Sequence, residues 1–233
     1  MTIKHLVIVG GGPNVFIHYG ILKHLLQKSF LVKENMESVY ATSCGCIASL
    51  ILLLNLNYDD IDDYLINRPW EKLFAVKPQQ LINSIGNMGL YENIFYDLFK
   101  PLLEINDLTV NVTLKEFYEF NNIEFNLFTT KYSTLESCCL NYKTFPDLKM
   151  LDAVYMSCTI PMLFKPMILD DELYLDGALL KNYPLKDCVD KNKDNQDEIL
   201  GISQLKSEFI QKEVEYKDLD LFKLVTNILG KLI

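Results

Sequence analysis

The first 55 residues alternate twice between a short apolar run and a longer stretch with helical spacing. Residues 3–9 are mostly apolar and β-branched, which is typical of a buried parallel strand, and the run ends at Gly10. Residues 37–42 indicate a second strand and residues 44–54 a second helix. The first helix follows Pro13, with apolar side chains at Phe16, Ile17, Tyr19, Ile21, Leu22 and Leu25. This order predicts an α/β domain with parallel strands and right-handed crossovers.

Less regular patterns follow along the rest of the chain. Residues 58–104 indicate helix, residues 123–133 a strand, and residues 172–180 two short apolar runs. Residues 187–198 are polar and predict an exposed loop, before a last strand at residues 199–205. Residues 219–233 have the periodicity of an amphipathic helix. Without an internal repeat, we expect a single domain over residues 1–233.

Composition and charge exclude several classes of protein. Hydrophobic residues make up 49% of the chain, enough for a globular core. With 22 basic and 31 acidic residues, the net charge of −9 argues against binding to nucleic acid. The longest apolar run, residues 46–54, is far shorter than the about 20 residues of a membrane-spanning helix. Residues 1–10 do not have the pattern of a signal peptide. We expect a cytoplasmic protein that meets a membrane surface transiently.

The cysteines and acidic residues do not indicate a metal site. The cysteines form no C-x-x-C pair and lack zinc spacing, so we expect reduced, mostly buried thiols. The acidic stretch at residues 59–63 lacks the glycine and distal glutamate of a calcium loop, and acidic residues at a helix start explain it better. The six cysteines are Cys44, Cys46, Cys138, Cys139, Cys158 and Cys188.

Three consecutive glycines, Gly10, Gly11 and Gly12, lie between the first strand and the first helix. Backbone N–H groups converge at such a turn and form a site for an anion. A P-loop would need Lys-Ser/Thr after the last glycine, and a dinucleotide-binding fingerprint would need glycine where Val15 stands. An oxyanion hole needs only the N–H groups. The remaining alternative is that the glycines only form a strand-to-helix turn and bind no anion.

A second strand-to-helix junction contains Ala41, Ser43 and Gly45 in a small-x-Ser-x-Gly pattern. Small residues two before and two after a serine allow the sharp turn of a nucleophile elbow. Ala41 replaces the usual leading glycine and weakens the pattern. The alternative is a helix start in which Ser43 is the N-cap.

An Asp-Gly-Ala sequence, residues Asp176 to Ala178, lies between two apolar runs. Asp-Gly in this setting is often a hairpin turn. The functional alternative makes Asp176 a carboxylate base that orients and deprotonates a serine.

In this order the three motifs resemble the patatin-like phospholipase family. Residues 153–166 are similar to the family's small-Ser-x-x-Ile-Pro-x-x-Phe-x-Pro stretch, and Thr129-Thr130 ends a strand where the family also has one. The resemblance covers about residues 4–186. The family usually has a basic residue and a glycine where this chain has Asn14 and Val15, and Pro13 offers no N–H.

The resemblance implies a Ser–Asp dyad, with Ser43 as nucleophile and Asp176 as its base. It also implies an oxyanion hole of backbone N–H groups, with small residues supporting the two turns. The implied oxyanion-hole residues are Gly10, Gly11, Gly12, Asn14 and Cys44, and the supporting residues are Ala41, Gly45 and Gly177.

Histidine positions give an independent argument for a dyad. A Ser-His-Asp hydrolase with this elbow needs a histidine after the acid. The three histidines, His5, His18 and His24, all precede Ser43. We therefore interpret them as core or surface residues. A carboxylate base would also let activity persist below pH 6, unless desolvation raises its pKa.

The fold expected from these patterns is a three-layer α/β/α domain with a mainly parallel central sheet and a helical cap. The expected function is hydrolysis of acyl esters in phospholipids or related lipids, of the phospholipase A or lysophospholipase type, without a metal or cofactor. A thioesterase, a transacylase and a non-catalytic lipid-binding protein are the alternatives. Aromatic residues between positions 58 and 99 pack the core and cap, or line an acyl-chain pocket.

Overall fold

The computed structural model describes residues 2–75, 88–92 and 94–204, which form a seven-stranded sheet, a small two-stranded sheet and surrounding helices. The strands are β1 (His5–Ile8), β2 (Ser38–Thr42), β3 (Gly89–Tyr91), β4 (Glu124–Lys131), β5 (Glu136–Leu140), β6 (Met162–Phe164), β7 (Met167–Leu169), β8 (Glu172–Asp176) and β9 (Ile199–Ile202). The helices are α1 (Val15–Gln27), α2 (Cys44–Leu53), α3 (Tyr58–Asn67), α4 (Trp70–Leu73), α5 (Ile94–Glu104), α6 (Leu114–Asn121), α7 (Met150–Ser157), α8 (Ala178–Lys181) and α9 (Leu185–Lys191).

The centre of the large sheet is parallel. Strands β9, β1, β2 and β4 lie side by side in the same direction, whereas β5, β7 and β8 are antiparallel to their neighbours. Both β1 and β2 are buried along their whole length, as the unbroken apolar runs indicated. The predicted α/β class with a mainly parallel central sheet is therefore confirmed.

Helices cover both faces of the sheet, but unequally. Alternate residues of β1 face opposite sides: Leu6 and Ile8 belong to the main core, and Val7 to a small second cluster. The main core includes side chains from α1, α2, α5, α6 and α7, whereas Cys188 of α9 packs in the second cluster. These layers form the predicted α/β/α arrangement. In the described ranges, no helix is long and apolar enough to cross a bilayer.

Strand β4 aligns the ends of two other strands. β2 runs parallel to β4 and its last residue, Thr42, pairs with Phe128. β8 runs antiparallel to β4 and its last residue, Asp176, pairs with the next residue, Thr129. The carboxyl ends of β2 and β8 therefore meet head-on along β4. This register brings Ser43, which follows Thr42, close to Asp176, which ends β8.

Some elements differ from the sequence prediction. Residues 58–104 are not one helical region, because Gly89–Tyr91 forms β3 and pairs in parallel with β6. The predicted strands at residues 37–42, 123–133 and 199–205 are confirmed within a few residues. The predicted amphipathic helix at residues 219–233 lies outside the described residues.

The predicted exposed loop at residues 187–198 is wrong over its first half. Residues 187–191 belong to α9, and a single 3₁₀ turn covers Gln196–Glu198. The helix is held by few apolar side chains, chiefly Leu185 and the completely buried Cys188. Because most of its other residues are polar, the segment's composition resembled that of a loop.

Candidate active site

Ser43 lies between β2 and α2 in a backbone conformation that few side chains adopt. Its φ is 52° and its ψ is −127°, so the residue is strained. Gly45 makes the turn possible, because a Cβ there would lie 2.8 Å from the carbonyl oxygen of Val9 and 2.9 Å from that of Ile8. Ala41, in place of the usual glycine, is completely buried in the core. This geometry is that of a nucleophile elbow.

The hydroxyl of Ser43 contacts the carboxylate of Asp176. Ser43 Oγ donates to Asp176 Oδ2 at 2.8 Å and does not cap α2. The backbone N–H of Ala178 donates to Asp176 Oδ1 at 2.7 Å. Because β8 ends at Asp176 and α8 begins at Ala178, the hairpin alternative for the Asp-Gly pair is wrong. Gly177 is needed here, since a Cβ would collide with the carbonyl oxygen of Phe128.

The Asp176 carboxyl group is completely removed from solvent. Burial raises the pKa of Asp176 to about 7, although hydrogen bonds from Ala178 and Ser43 partly oppose the rise. A group with this pKa is ionised in part at neutral pH. It can therefore accept a proton from a neighbouring hydroxyl and later return it.

Backbone and hydroxyl groups hold Asp176 in place. Its N–H donates to the carbonyl oxygen of Thr159 at 2.9 Å, and Thr130 Oγ1 donates to its carbonyl oxygen at 3.0 Å. Sequence reasoning gave Thr130 only a place at the end of a strand. Its contact with the Asp176 backbone depends on the β4–β8 register, which the sequence does not indicate.

Two of the five residues expected in the oxyanion hole use their backbone N–H groups in hydrogen bonds within the protein. The N–H of Gly10 donates to the carbonyl oxygen of Asn182 at 3.0 Å, and that of Asn14 to the carbonyl oxygen of Gly11 at 3.2 Å. Burial raises the pKa of the Cys44 thiol to about 12, and a hydrogen bond from the Gly11 N–H partly opposes this rise. The backbone N–H of Gly11 thus lies near the Cys44 thiol.

The backbone N–H groups of Gly12 and Cys44 are better placed to donate to an anion beside Ser43. Both line a cavity beside Ser43, and within the described ranges neither N–H group donates to a backbone carbonyl. Gly12 has a φ of 53°, a left-handed conformation that favours glycine. The backbone conformation therefore requires glycine more strongly at position 12 than at position 11, because Gly11 has a φ of 168°, which is ordinary extended backbone.

An apolar cavity of about 560 Å³ begins at Ser43. Its polar end carries Ser43 and Cys44, and most of its other walls come from helices α1 to α5. Aromatic contacts continue along one side, from Phe16 to Trp70 and on to Phe74. The remaining lining residues are Gly12, Pro13, Val15, Tyr19, Ile47, Ile51, Leu65, Leu73, Ile94, Phe95, Leu98, Phe99, Leu102, Cys158, Ile160, Leu163 and Phe164.

This cavity favours the second interpretation of the aromatic stretch. Trp70, Phe95 and Phe99 both pack against the core and line the cavity, and the partly exposed Phe74 also lines it. Sequence reasoning missed Cys158, Ile160 and Phe164, although they lie in the stretch from 153 to 166 that carried the family resemblance. Only the fold brings this stretch opposite α5, where Phe95 contacts Phe164.

No histidine of the chain hydrogen-bonds to Ser43 or Asp176 in the part that the structure describes. His5 Nδ1 lies 2.8 Å from Ser38 Oγ, and buried His18 has its Nδ1 3.7 Å from Cys44 Sγ. Burial lowers the pKa of both imidazoles. All six cysteines are free thiols. Among the described residues, no group of three or more His, Cys, Asp or Glu side chains is arranged to hold a metal ion.

The α/β/α domain thus places Ser43, on a sharp strand-to-helix turn, beside the buried carboxylate of Asp176. The sequence model of the patatin-like phospholipase family matches residues 6–189. The chain therefore belongs to the patatin-like phospholipase family. Membership of this family supports a lipid hydrolase activity.

Individual relatives are distant. The chain is 24% identical over 217 residues to "Probable lipid hydrolase 463L" of Invertebrate iridescent virus 6, covering 89% of this chain and 72% of that protein. It is 25% identical over 206 residues to "Uncharacterized protein R571" of Acanthamoeba polyphaga mimivirus, covering 86% of this chain and 65% of that protein.

The fold is also similar to that of a solved structure, VipD from Legionella pneumophila. The TM-score is 0.57 at 18% sequence identity, and the match covers 86% of this chain. This chain spans 49% of VipD, so about half of that protein has no counterpart here. At this identity, the likeness concerns the fold alone.

Proposed function

We propose that this protein hydrolyses acyl esters of phospholipids or lysophospholipids through a dyad of Ser43 and Asp176. The observation that carries the proposal is the 2.8 Å hydrogen bond from Ser43 Oγ to Asp176 Oδ2 at the end of an apolar cavity. The description of the family and the name of the iridescent virus relative support a lipid substrate.

The first half-reaction would form an acyl-enzyme. The ionised Asp176 accepts the proton of Ser43 as Oγ bonds to the ester carbonyl carbon. The carbonyl oxygen becomes an oxyanion, which the N–H groups of Gly12 and Cys44 stabilise. The bond to the leaving alcohol then breaks as Asp176 returns its proton to the alcohol oxygen.

Water would complete the reaction. Asp176, again ionised, takes a proton from a water molecule as the water oxygen bonds to the acyl carbon. The bond between this carbon and Ser43 Oγ breaks, and Oγ recovers the proton from Asp176. The products are a fatty acid and the free enzyme, and each half-reaction returns Asp176 to its ionised form.

The cavity favours a long acyl chain over a short polar one. Each methylene group that leaves water for an apolar environment contributes about 0.8 kcal/mol to binding. A cavity of about 560 Å³ with almost wholly apolar walls offers this gain to many methylene groups. We infer that the acyl chain of the lipid lies in the cavity and that its head group lies outside. Such lipids reside in membranes, so the enzyme would meet a membrane surface transiently.

The test uses an active-site probe and a lipid panel. Ser43 should be the serine labelled by a fluorophosphonate, and Ser43→Ala should abolish labelling and esterase activity while keeping the melting temperature within a few degrees. Mass spectrometry of products from phospholipids, lysophospholipids and acyl thioesters distinguishes a phospholipase from a thioesterase, and added alcohol acceptors reveal a transacylase. A folded wild-type protein without labelling or turnover would contradict the proposal and leave a lipid-binding protein.

A further inference from the structure

The carboxyl end of α7 touches both members of the dyad. Ser157 is completely buried, and its Oγ accepts a hydrogen bond from the backbone N–H of Ser43 at 2.9 Å. The carbonyl oxygen of Ser157 accepts from the N–H of Gly177 at 3.2 Å, and that of Thr159 from the N–H of Asp176 at 2.9 Å. One short segment thus contacts the two elements that meet head-on along β4.

The Ser157 hydroxyl is itself held firmly. Its Oγ donates to the carbonyl oxygen of Phe128 at 2.6 Å, at the residue of β4 that pairs with the end of β2. Cys46 Sγ lies 3.2 Å from Ser157 Oγ. A hydroxyl that both donates and accepts in a buried site has little freedom to rotate. Ser157 therefore links the β4 backbone to Ser43.

Ser43 needs such a link because its backbone is strained. With a φ of 52°, its peptide group follows neither the pattern of β2 nor that of α2. Strained conformations persist only where neighbouring groups hold them. The hydrogen bond from the Ser43 N–H to Ser157 crosses 114 residues of sequence and fixes the peptide group that precedes the reactive hydroxyl.

We propose that Ser157 is a positioning residue, which keeps Ser43 Oγ aligned between Asp176 and the substrate carbonyl. The inference rests on the proposed function. It assigns the Ser43 N–H to the protein frame, leaving Gly12 and Cys44 to bind the oxyanion. Ser157 does not line the cavity, so its effect is on alignment and not on lipid binding.

Replacing the hydroxyl tests this role. Ser157→Ala should lower kcat by about 10- to 100-fold, the scale expected when a reacting group is misplaced by up to 1 Å. KM should stay within about two-fold, because the cavity walls are unchanged. Fluorophosphonate labelling of Ser43 should slow by a similar factor. Ser157→Cys fills the same space with a weak hydrogen-bonding group and should also be slow.

Ser49→Ala is the matched control. Ser49 is a completely buried serine on α2, and its Oγ donates to the carbonyl oxygen of Gly45 at 2.7 Å. The Ser49→Ala variant loses one buried hydrogen bond but keeps the one that holds the Ser43 N–H, so its kcat should stay within about two-fold of the wild-type value. Circular dichroism of all variants gives the folded fraction by which each rate is divided.

The pH profile separates alignment from general loosening of the site. Ser157 does not contact the Asp176 carboxylate, so the midpoint of the kcat/KM profile should match that of the wild type. A variant that simply opened the site would admit water and lower this midpoint, which would contradict the positioning role. A Ser157→Cys or Ser157→Ala enzyme that folds and reacts at the wild-type rate would overturn the inference while leaving the proposed function intact. An inactive wild type would overturn both.

Discussion

The buried Asp176 predicts a rate that falls steeply in mild acid. In the proposed mechanism, Asp176 must be ionised to accept the proton of Ser43, and burial raises the pKa of Asp176 to about 7. With that pKa, about one-tenth of the enzyme has an ionised Asp176 at pH 6, and about one-hundredth at pH 5. An exposed aspartate would remain ionised at both pH values. The sequence-based expectation of activity below pH 6 is therefore replaced by a loss of activity there.

The measurement is kcat/KM for a phospholipid in mixed micelles from pH 5 to pH 9, with released fatty acid quantified by mass spectrometry. We expect kcat/KM to rise about ten-fold per pH unit below pH 6 and to level off above pH 8. Ser43→Ala measured at each pH provides the background rate. Far-UV circular dichroism at pH 5 establishes that the protein remains folded.

A histidine could produce a similar midpoint, since its ordinary pKa is about 6.5. The control is a variant in which all three histidines are replaced by asparagine or glutamine. If this variant folds and keeps the wild-type midpoint, the titrating group is not an imidazole. A midpoint near pH 4, or a profile that disappears with the histidines, would refute the assignment to buried Asp176.

The same carboxylate and the glycine turn give two further predictions. The pKa of Asp176 lies about three pH units above its ordinary value of 3.8, so burying the charged form costs roughly 4 kcal/mol of folding free energy above pH 7, and this cost disappears as pH falls towards 4. Asp176→Asn should lose at least about 100-fold in kcat, because an amide cannot accept the proton of Ser43. Its melting temperature should exceed that of the wild type at pH 8.5, and by a smaller margin at pH 5. A difference in melting temperature that does not depend on pH would contradict this explanation. Gly12→Ala, forced into a left-handed conformation, should lose about 10- to 1,000-fold in kcat. Gly11→Ala meets mainly the flexible end of Gln204 and should lose much less, so equal losses in folded variants would count against Gly12 as a donor.

Local patterns in the sequence predicted the elbow well. The apolar run of β2, the small residue at Ala41 and the glycine at position 45 are all within a few residues of Ser43. Their spacing limits the backbone to a sharp turn. The glycine turn was predicted less well, since the N–H groups of Gly10 and Asn14 are used in backbone hydrogen bonds that no local pattern reveals.

Local sequence patterns could not predict the contacts between segments that are distant in the sequence. An Asp-Gly pair can be a hairpin or the end of a strand, and only pairing of β8 with β4 decides between them. Ser157 was visible as one residue of a family-like stretch, but its hydrogen bond to Ser43 depends on where α7 packs. The burial that raises the pKa of Asp176 likewise depends on the whole domain.

The head-on meeting of β2 and β8 affects when the protein can become reactive. Ser43 and Asp176 are 133 residues apart, and their contact forms where β2 and β8 meet along β4, whose own sequence lies between them. Contacts of such long sequence separation form late in folding because a large loop must close first. During synthesis, Ser43 leaves the ribosome well before Asp176 has been made. Under the proposed mechanism, the nascent chain carries Ser43 without its base and cannot hydrolyse a lipid ester until β8 has docked.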